Sequence, residues 1–408
     1  MLFTFNTPSR IVFGEGCSGQ VGQEFATFGT TKVLIVTGPG STAHSPALAA
    51  LTLSLDAESL RWAHFSGAGA DPTPAMVAEG VRFYKEERCD AILALGGGSP
   101  MDCAKGIGAS IGEGRPISDF VGTGRAFTAP VPPLIAVPTT AGTGSEVTGT
   151  AVFTLDSGDH KEKKGTSGIT LFPKVALVDP LLQASMPPAL TAATGMDALT
   201  HALECYVGRQ HTPIADLYCL ESMRLIGRSL RHACHQGDDR EARRDMALAA
   251  TYSGVALSNA SLGMVHGFAH ALGALCGMAH GLANAIMLPY VMAGCASYPS
   301  HPATHPSQDA SQDAMERLAL AGAALTGAAP HGNGTIDARD TVDAIFSLNA
   351  DIGIPKSLAA AGVPETMLKS IYDDAKNYKR RPQSPYLFSD EELWELLRAA
   401  WSGEKKLR

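Results

Sequence analysis

The sequence of 408 residues predicts a parallel α/β domain over residues 1–186 and an all-helical domain over residues 187–408. In the first part, short and mostly apolar runs alternate with longer stretches of helical periodicity. This alternation is typical of a Rossmann-like parallel sheet with helices on both faces. After Met186-Pro187-Pro188 the strand signals stop, and apolar residues recur with helical spacing alone. Because ligands of parallel sheets bind at the carboxyl ends of the strands, a site of the first domain is expected there.

The first domain is predicted to contain six strands, the first of which is interrupted by Pro8. We expect that strand at an edge of the sheet or as an arm exchanged between subunits. The predicted strands are Leu2–Phe13, Lys32–Gly38, Leu60–Phe65, Asp90–Leu95, Leu134–Val137 and Val175–Val178. The predicted helices are Pro46–Leu55, which Ser45 caps, Pro72–Glu87 and Ser99–Ile111. From Thr150 to the last strand the pattern is irregular, with a charged loop at Asp156–Lys164.

The second domain is predicted to consist of helices, by periodicity and by the residues at their ends. They are Pro188–Val207, Pro213–His235, Asp239–Ser258, Ser261–Leu275, Gly281–Gly294, Gln312–Leu325, Asp337–Ala350, Pro364–Asp374 and Asp390–Trp401. A piece rich in Pro, His and Ser, Tyr298–Ser311, interrupts them. We interpret it as a solvated insertion, and a small metal tract formed by His301 and His305 is the alternative.

Composition excludes several classes of protein. The formal net charge is -8 and no block of basic residues occurs, so nucleic acid and anionic membranes are not expected partners. The eight cysteines form no C-x-x-C pair, which favours a reducing cytoplasm. The N-terminus lacks a secretory signal, and no apolar run reaches the length that spans a membrane. We therefore expect a cytoplasmic enzyme.

Histidine and aspartate occur in unusually apolar helical segments. His266 and His270 are four residues apart, as are Asp197 and His201, so each pair lies on one face of a helix. His280 follows a glycine-containing break in the chain. Either pair alone is more often a hydrogen-bonded part of a core than a ligand set. Together they favour a site for divalent Fe, Zn, Co, Ni or Mn, among which the donors do not choose.

Two glycine-rich segments follow predicted strands. Gly97, Gly98 and Ser99 stand where a strand passes into a helix, an arrangement that leaves N–H groups for a phosphate. The spacing is neither G-x-G-x-x-G nor a Walker loop, so a purely structural turn is an equal alternative. The loop from Pro138 to Thr148 is dense in hydroxyls and glycines, and its position after a strand favours contact with a ligand.

Four segments resemble, in order, signatures of the iron-containing (group III) alcohol dehydrogenases. They are GGGSPMDCAK, PTTAGTGSEVT, GMDALTHALE and HGFAHALGALCGMAHGLANAIMLP. The resemblance covers nearly the whole chain and implies the dehydroquinate synthase-like fold, with a dinucleotide-binding α/β domain and a helical metal-binding domain. It implies an NAD- or NADP-linked alcohol dehydrogenase or aldehyde reductase that binds the oxygen of a small substrate to a divalent metal, expected to be Fe2+ with Zn2+ as an alternative. A homodimer joined through the N-terminal strand is also implied.

The resemblance assigns roles to particular residues. The metal ligands would be Asp197, His201, His266 and His280. His270 would lie near the nicotinamide or the substrate without binding the metal, and we expect it to relay the alcohol proton. The dinucleotide site would include Gly97, Gly98, Ser99, Asp102, Thr139, Thr140, Thr143, Thr148 and Lys163, with Gly38 and Asp71 at its adenosine side.

The sequence departs from the family pattern at several positions. Many NAD-preferring members carry an acidic residue after the first strand, whereas Gly38 follows Thr37 here, so NADP is an expected alternative to NAD. Asp71 replaces an asparagine, and Thr150 replaces a substrate-contacting asparagine of lactaldehyde-reducing members. The substrate therefore cannot be copied from them. A maleylacetate reductase-like or hydroxyacid-oxoacid transhydrogenase-like enzyme is the alternative, although the former branch typically departs from the metal-ligand pattern.

Overall fold

The structure is a computed structural model that describes residues 2–8, 10–156, 161–297, 308–328 and 334–405. The chain divides into two compact units. One unit is Asn6–Ser185, and the other comprises Met186–Arg408 together with Met1–Phe5. Each unit has its own class of architecture, α/β for the first and all-helical for the second.

The α/β unit is built on a six-stranded sheet in the order β1-β8-β5-β4-β2-β3. Its strands are β1 Arg10–Phe13, β2 Lys32–Val36, β3 Arg61–Phe65, β4 Ala91–Gly96, β5 Leu134–Pro138 and β8 Val175–Val178. Every ladder between them is parallel, which confirms the predicted fold class. Alternate residues of β2 point to opposite faces, so Leu34 and Val36 join one core while Val33 and Ile35 join the other.

The α-helices among the described residues of this unit are α1 Val21–Ala26, α2 Pro46–Ala57, α3 Pro74–Glu86 and α4 Gly98–Glu113. The chain places β3 on one side of β2 and β4 on the other side. The carboxyl ends of β2 and β4 therefore form a topological switch point, which is where ligands of open α/β sheets bind. Gly38 lies just after β2, and Gly97 to Ser99 lie just after β4.

The structure corrects two predictions for this unit. The first strand is confined to Arg10–Phe13, at the edge of the sheet, because Pro8 has no N–H for a ladder. The segment interpreted as irregular, with a charged loop, instead forms an antiparallel pair of strands, β6 Thr150–Asp156 and β7 Lys161–Ser167. Strand β7 has no alternation of apolar residues, and its pairing with β6 stabilises its extended conformation.

The second unit contains α5 to α13. They are α5 Pro188–Val207, α6 Pro213–His235, α7 Arg240–Leu257, α8 Met264–Cys276, α9 His280–Ser297, α10 Gln308–Thr326, α11 Gly334–Asp351, α12 Leu368–Ala375 and α13 Asp390–Ser402. All the predicted helices are present, with ends shifted by a few residues at most. In the described part of the chain, no helix is both long and apolar enough to cross a membrane. Residues 298–307, including His301 and His305, lie outside the described residues.

Three helices of the second unit bring the predicted metal ligands together. Helix α9 packs against both α5 and α8. Gly277 ends α8 with a left-handed backbone (φ 66°), and the chain then turns into α9. A Cβ atom on Gly281 would lie 2.3 Å from the carbonyl oxygen of Ala193 on α5. The absence of a side chain at Gly281 therefore lets the start of α9 approach α5 closely.

Candidate functional site

The predicted metal ligands form one cluster in the helical unit. Asp197 and His201 lie on α5, His266 on α8 and His280 at the start of α9. The Asp197 Oδ1 atom is 3.9 Å from His201 Nε2 and 3.7 Å from His280 Nε2. The rings of His201 and His266 stack with their centroids 4.8 Å apart. The cluster therefore converges on the carboxylate of Asp197.

The donor atoms of this cluster fit a divalent cation. One ligand atom from each of Asp197, His201 and His266 lies within 4.8 Å of the others, and all three residues are buried. In the described part of the chain, the Nδ1 atom of His201 is buried without a hydrogen-bond partner. Burial of a carboxylate and imidazoles is costly unless they are paired or bind a metal. One carboxylate oxygen with several imidazole nitrogens suits Fe2+ or Zn2+.

Burial and charge act in opposite directions on the carboxylate of the cluster. Burial alone would raise the pKa of Asp197, but His201, His280 and His266 outweigh it, and the pKa lies below its usual value. Burial, followed by the nearby His201, lowers the pKa of His266 well below its usual value. The two groups are therefore an ionised carboxylate and a neutral imidazole, which are the forms that bind metals.

His270 lies beside the cluster rather than at its centre. Its ring centroid is 5.6 Å from that of His280 and 6.3 Å from that of His266. On its other side the ring of Tyr378 stands nearly perpendicular to it, with the centroids 5.4 Å apart. His280 is 32% exposed, so the cluster is open toward solvent near these two histidines.

Glu204, which its sequence context did not single out, is buried next to the cluster. Its Oε2 atom lies 2.6 Å from Nδ1 of His266, and its Oε1 atom accepts from the backbone N–H of Val265 at 2.8 Å. Burial raises the pKa of Glu204 to about 7, against the effect of N–H groups at the start of α8. With the proton of His266 on Nδ1, its Nε2 lone pair is left for a metal.

Asn284 was also missed, although its spacing marks it. Its side chain is 0% exposed, and its amide nitrogen lies 2.7 Å from Asp197 Oδ1. Asn284 follows His280 by one helical turn on α9, as Glu204 follows His201 by about one turn on α5. Both were therefore on the histidine faces of their helices, but spacing alone does not separate such residues from ordinary buried polar groups.

We expect Glu204→Gln to lower metal affinity by about 10- to 100-fold, the usual range for partners of metal-binding histidines. The glutamine amide has a single acceptor oxygen. If that oxygen keeps the hydrogen bond from Val265, the NH2 group of the glutamine faces His266 Nδ1. The NH2 group then donates to Nδ1, and the ring proton shifts to Nε2, the atom that a metal must bind. Competition with a chelator during Zn2+ titration measures the dissociation constant.

Ser384→Ala is the matched control for this variant. Ser384 is buried, and its Oγ accepts from the backbone N–H of Met264, in the same first turn of α8. It does not fix the ring of His266, so its loss should leave metal affinity within about threefold of the wild type. Equal effects of the two variants would show that Glu204 supports the helix end and not the tautomer of His266.

A second candidate site lies at the carboxyl end of the α/β sheet. Gly97 precedes α4 with an extended backbone, and Gly98 begins the helix. A Cβ atom on Gly98 would lie 2.9 Å from Cγ2 of Thr143, and one on Gly97 would lie 3.2 Å from Oγ1 of Thr140. The predicted glycine and threonine segments therefore meet. Together with the half-buried Ser99, they form a cradle of N–H and hydroxyl groups that suits a phosphate.

Lys105 is buried next to this cradle and binds the loop that follows β5. It is 2% exposed, and its ammonium group donates to Ser145 Oγ at 2.8 Å, Thr148 Oγ1 at 3.0 Å and the carbonyl oxygen of Thr150 at 2.8 Å. Burial lowers its pKa to about 8, and Asp102 acts in the opposite direction. These contacts join α4 to the loop after β5, and they occupy the hydroxyl of Thr148, which was predicted to line the site.

Asp102 and Thr139 are tied to neighbouring backbone and side chains. The carboxylate of Asp102 accepts from Ser145 Oγ at 2.8 Å and from the backbone N–H of Val152 at 2.9 Å. Burial raises its pKa. The backbone N–H of Thr139 donates to the carbonyl oxygen of Gly96 at 2.9 Å. These contacts hold the ends of β4 and β5 and the start of α4 in place.

The predicted adenosine side lies near the ends of β2 and β3. Gly38 has no side chain, and a Cβ there would lie 3.2 Å from the carbonyl oxygen of Ala68. The hydroxyl of Thr37 lies 2.8 Å from Nε2 of His64. Burial lowers the pKa of His64, and His44 adds to this effect. The two residues directly after β2 are Thr37 and Gly38, so neither carries a carboxylate.

Asp71 and Lys163, which the sequence analysis placed at the dinucleotide site, are paired in the structure. The Nζ atom of Lys163 lies 2.6 Å from Oδ1 of Asp71. Asp71 adopts a left-handed backbone conformation, with φ of 53°. The pair joins strand β7 to the segment before α3 in the α/β unit.

Known proteins of one family resemble this chain along nearly its whole length. Residues 8–180 match the model of the iron-containing alcohol dehydrogenases, and residues 191–401 match that of the C-terminal part of the Fe-containing alcohol dehydrogenase family. The 1,3-propanediol dehydrogenase of Klebsiella pneumoniae is 37% identical over 402 residues, or 98% of this chain and 99% of that protein. The NAD-dependent methanol dehydrogenase of Bacillus methanolicus is 34% identical over 398 residues, or 97% and 99%. A crystal structure of a 1,3-propanediol oxidoreductase has a TM-score of 0.89 at 34% identity and covers 98% of this chain and 100% of that one.

Proposed function

Because the chain belongs to the iron-containing alcohol dehydrogenase family, we propose that it is a metal-dependent, NAD(P)-linked dehydrogenase of small alcohols that also reduces the corresponding aldehydes. The observation that carries this proposal is the buried convergence of Asp197, His201 and His266, with His280 at its open side. We assign these four residues as the metal ligands and Fe2+ as the native ion, with Zn2+ as the alternative.

The bound groups and the protein have separate tasks. A divalent metal supplies a Lewis acid for the substrate oxygen, and the nicotinamide ring exchanges hydride with the substrate carbon. Oε2 of Glu204 lies 2.6 Å from Nδ1 of His266, where it keeps the ring proton on Nδ1. The N–H groups at the start of α4 bind the pyrophosphate, and Lys105 holds the loop beside them. We assign the dinucleotide to residues 1–186 and the metal to residues 187–408.

We propose that His270 passes the alcohol proton toward solvent without holding the metal. Its ring lies beside His280, at the open side of the cluster, and against Tyr378. We expect His270→Ala to lower turnover on the order of 100-fold, as is typical for the loss of a general acid or base, while the metal content stays at the wild-type value. Undiminished turnover together with an unchanged pH–rate profile would contradict this role.

We propose that the enzyme uses NADP in preference to NAD. An acidic residue after β2 would meet the ribose hydroxyls of NAD and repel a 2′-phosphate, but Gly38 stands there, where an added Cβ would lie 3.2 Å from the carbonyl oxygen of Ala68. The side chains of Thr37 and His64, which meet at 2.8 Å, are not acidic, and the carboxylate of Asp71 is paired with Lys163. Comparison of kcat/KM for NADPH and NADH tests the preference, and a higher value for NADH would contradict it.

We further propose a cytoplasmic homodimer joined along β1. This strand lies at an edge of the sheet, and Ile11 within it is 39% exposed. Exposed edge strands pair readily with another chain. All the cysteines are free thiols, which suits a reducing compartment. Light scattering that gives the mass of a monomer would contradict the dimer.

The experiment that tests the proposed function is reduction of small aldehydes and oxo-acids by NADPH and NADH, with protein stripped of metal and reloaded with Fe2+ or Zn2+. Aldehyde reduction that returns only with metal supports the proposal. Oxo-acid reduction without metal would support the maleylacetate reductase-like alternative instead. Activity that does not depend on added nicotinamide would support the transhydrogenase-like alternative.

A further inference from the structure

The amide group of Asn284 lies at the centre of the histidine cluster. Asn284 and His280 are one turn apart on α9, so both side chains leave the same face of the helix. The side chain of Asn284 is fully buried, with 0% exposure. Its NH2 nitrogen lies 2.7 Å from Asp197 Oδ1, 3.2 Å from His266 Nε2 and 3.2 Å from His280 Nε2. One amide nitrogen thus contacts side chains from all three helices of the cluster.

The tautomer of His266 explains why a donor faces it. Oε2 of Glu204 lies 2.6 Å from His266 Nδ1, and an ionised Glu204 accepts the proton of Nδ1, which leaves the lone pair of that ring on Nε2. A carboxylate oxygen and an imidazole lone pair both require a donor, which only the NH2 side of the amide supplies. The orientation of the Asn284 amide follows from these acceptors.

The other end of the amide shows that this orientation is set by the cluster. Among the described residues, the Oδ1 atom of Asn284 is buried and has no hydrogen-bond partner. A buried amide oxygen without a donor is unfavourable by about 1–3 kcal/mol. The side chain therefore leaves its own acceptor unpaired while its donors contact the ligand atoms. What distinguishes Asn284 is where its NH2 group points, namely at the side chains of Asp197, His266 and His280.

We propose that Asn284 is a positioning residue of the metal site, whose NH2 group holds the carboxylate of Asp197 in the orientation that binds the ion. The proposal rests on the proposed function, because it assumes that Asp197 is a ligand. A carboxylate oxygen has more than one lone pair, so Asp197 can accept from Asn284 and still bind a metal. The two histidine contacts keep the ligand atoms gathered before a metal enters.

The chain offers a matched control in Asn349 on α11. This residue is 7% exposed, its amide nitrogen donates to the carbonyl oxygen of Ala285 at 2.6 Å, and its Oδ1 atom is likewise buried without a partner among the described residues. It therefore contacts the residue next to Asn284 but none of the proposed ligands. Its replacement removes a buried amide from the same region without disturbing Asp197.

The test is a titration of metal-free wild type, Asn284→Ala and Asn349→Ala with Co2+, in competition with a chelator and followed by the visible absorption of the bound ion. We expect the dissociation constant of Asn284→Ala to rise about 10- to 100-fold, as for other groups that orient metal ligands, with an altered Co2+ spectrum. Asn349→Ala should bind within about threefold of the wild type, because its amide nitrogen donates to the carbonyl oxygen of Ala285 and not to a proposed ligand. Thermal unfolding of each metal-free protein reports its general loss of stability.

The outcomes separate the two proposals. If the wild type binds no Co2+ at one ion per chain, the proposed metal site is wrong. If the wild type binds and Asn284→Ala binds as tightly, or no more weakly than Asn349→Ala, the role of Asn284 is wrong. Should the alanine variant fail to fold, Asn284→Leu carries the same test, because it fills a similar volume and has no donor. Wild-type affinity in that variant would overturn the inference.

Discussion

Replacing Asp197 by alanine should remove the metal and nearly all dehydrogenase activity. Asp197 is the anionic member of the proposed ligand set and is 3% exposed. The carboxylate lies 3.7 Å from His280 Nε2 and accepts from Asn284 at 2.7 Å, so its loss removes these contacts between α5 and α9. A metal contributes several kcal/mol to the transition state, so kcat/KM should fall about 1000-fold or more.

Metal analysis of the purified and reloaded variant, together with kcat/KM, measures this effect. Asp197→Asn keeps the shape and removes only the charge, so it should lose metal affinity with less disturbance of the fold. Thr200→Ala is the control, since Thr200 is fully buried on the same helix but donates only to the carbonyl oxygen of Met196. Retention of one metal per chain by Asp197→Ala would refute the ligand assignment.

Replacing Lys105 by methionine should destabilise the α/β unit by about 3–5 kcal/mol, the range for removing one partner from a buried charged network. Methionine has a similar length but cannot donate to Ser145, Thr148 and the carbonyl of Thr150. It also leaves the carboxylate of Asp102 without its cation. Because the loop beside the phosphate cradle then loses its attachment to α4, KM for the dinucleotide should rise roughly tenfold or more.

Denaturant unfolding and coenzyme kinetics measure the two effects of this variant. Lys85→Met is the control, because Lys85 lies exposed on α3 of the same unit. The metal content of Lys105→Met should equal that of the wild type, since the ligands belong to the helical unit. A variant as stable as Lys85→Met, with unchanged coenzyme KM, would show that Lys105 does not support the loop.

The same residue should leave a signature in the pH dependence of stability. Burial lowers the pKa of Lys105 to about 8 in the folded chain, against a usual 10.5. Between these pH values the unfolded chain binds more protons, so this group contributes a free energy of unfolding that increases as the pH rises. Relative to Lys105→Met, the wild type should therefore gain stability above about pH 8.

The sheet was predictable because its strands are apolar on both faces. Leu34 and Ile35 of β2 face opposite cores, so the strand reads as an unbroken apolar run between turn signals. The antiparallel pair of strands β6 and β7 was not predictable in the same way. Strand β7 runs from Lys161 to Ser167 and carries no alternating apolar residues, so its strand conformation depends on pairing with β6 and not on its own composition.

The site was only partly predictable for a related reason. Helical spacing placed the histidines and Asp197 on common faces, and the structure brings them together. The partners of these groups depend on tertiary contacts instead. Glu204 meets His266 across 62 positions of the chain, and Lys105 meets Ser145 across 40 positions. A buried lysine is rare, so nothing in the residue alone marks Lys105 as the support of a loop.

The most direct test of the metal site is an anomalous difference map from crystals of the Zn2+- or Fe2+-loaded protein, recorded at the absorption edge of the ion. We expect one strong peak per chain at about 2.0–2.2 Å from donor atoms of Asp197, His201, His266 and His280. A map without a peak among these residues, or with its only peak beside His301 and His305, would contradict the account.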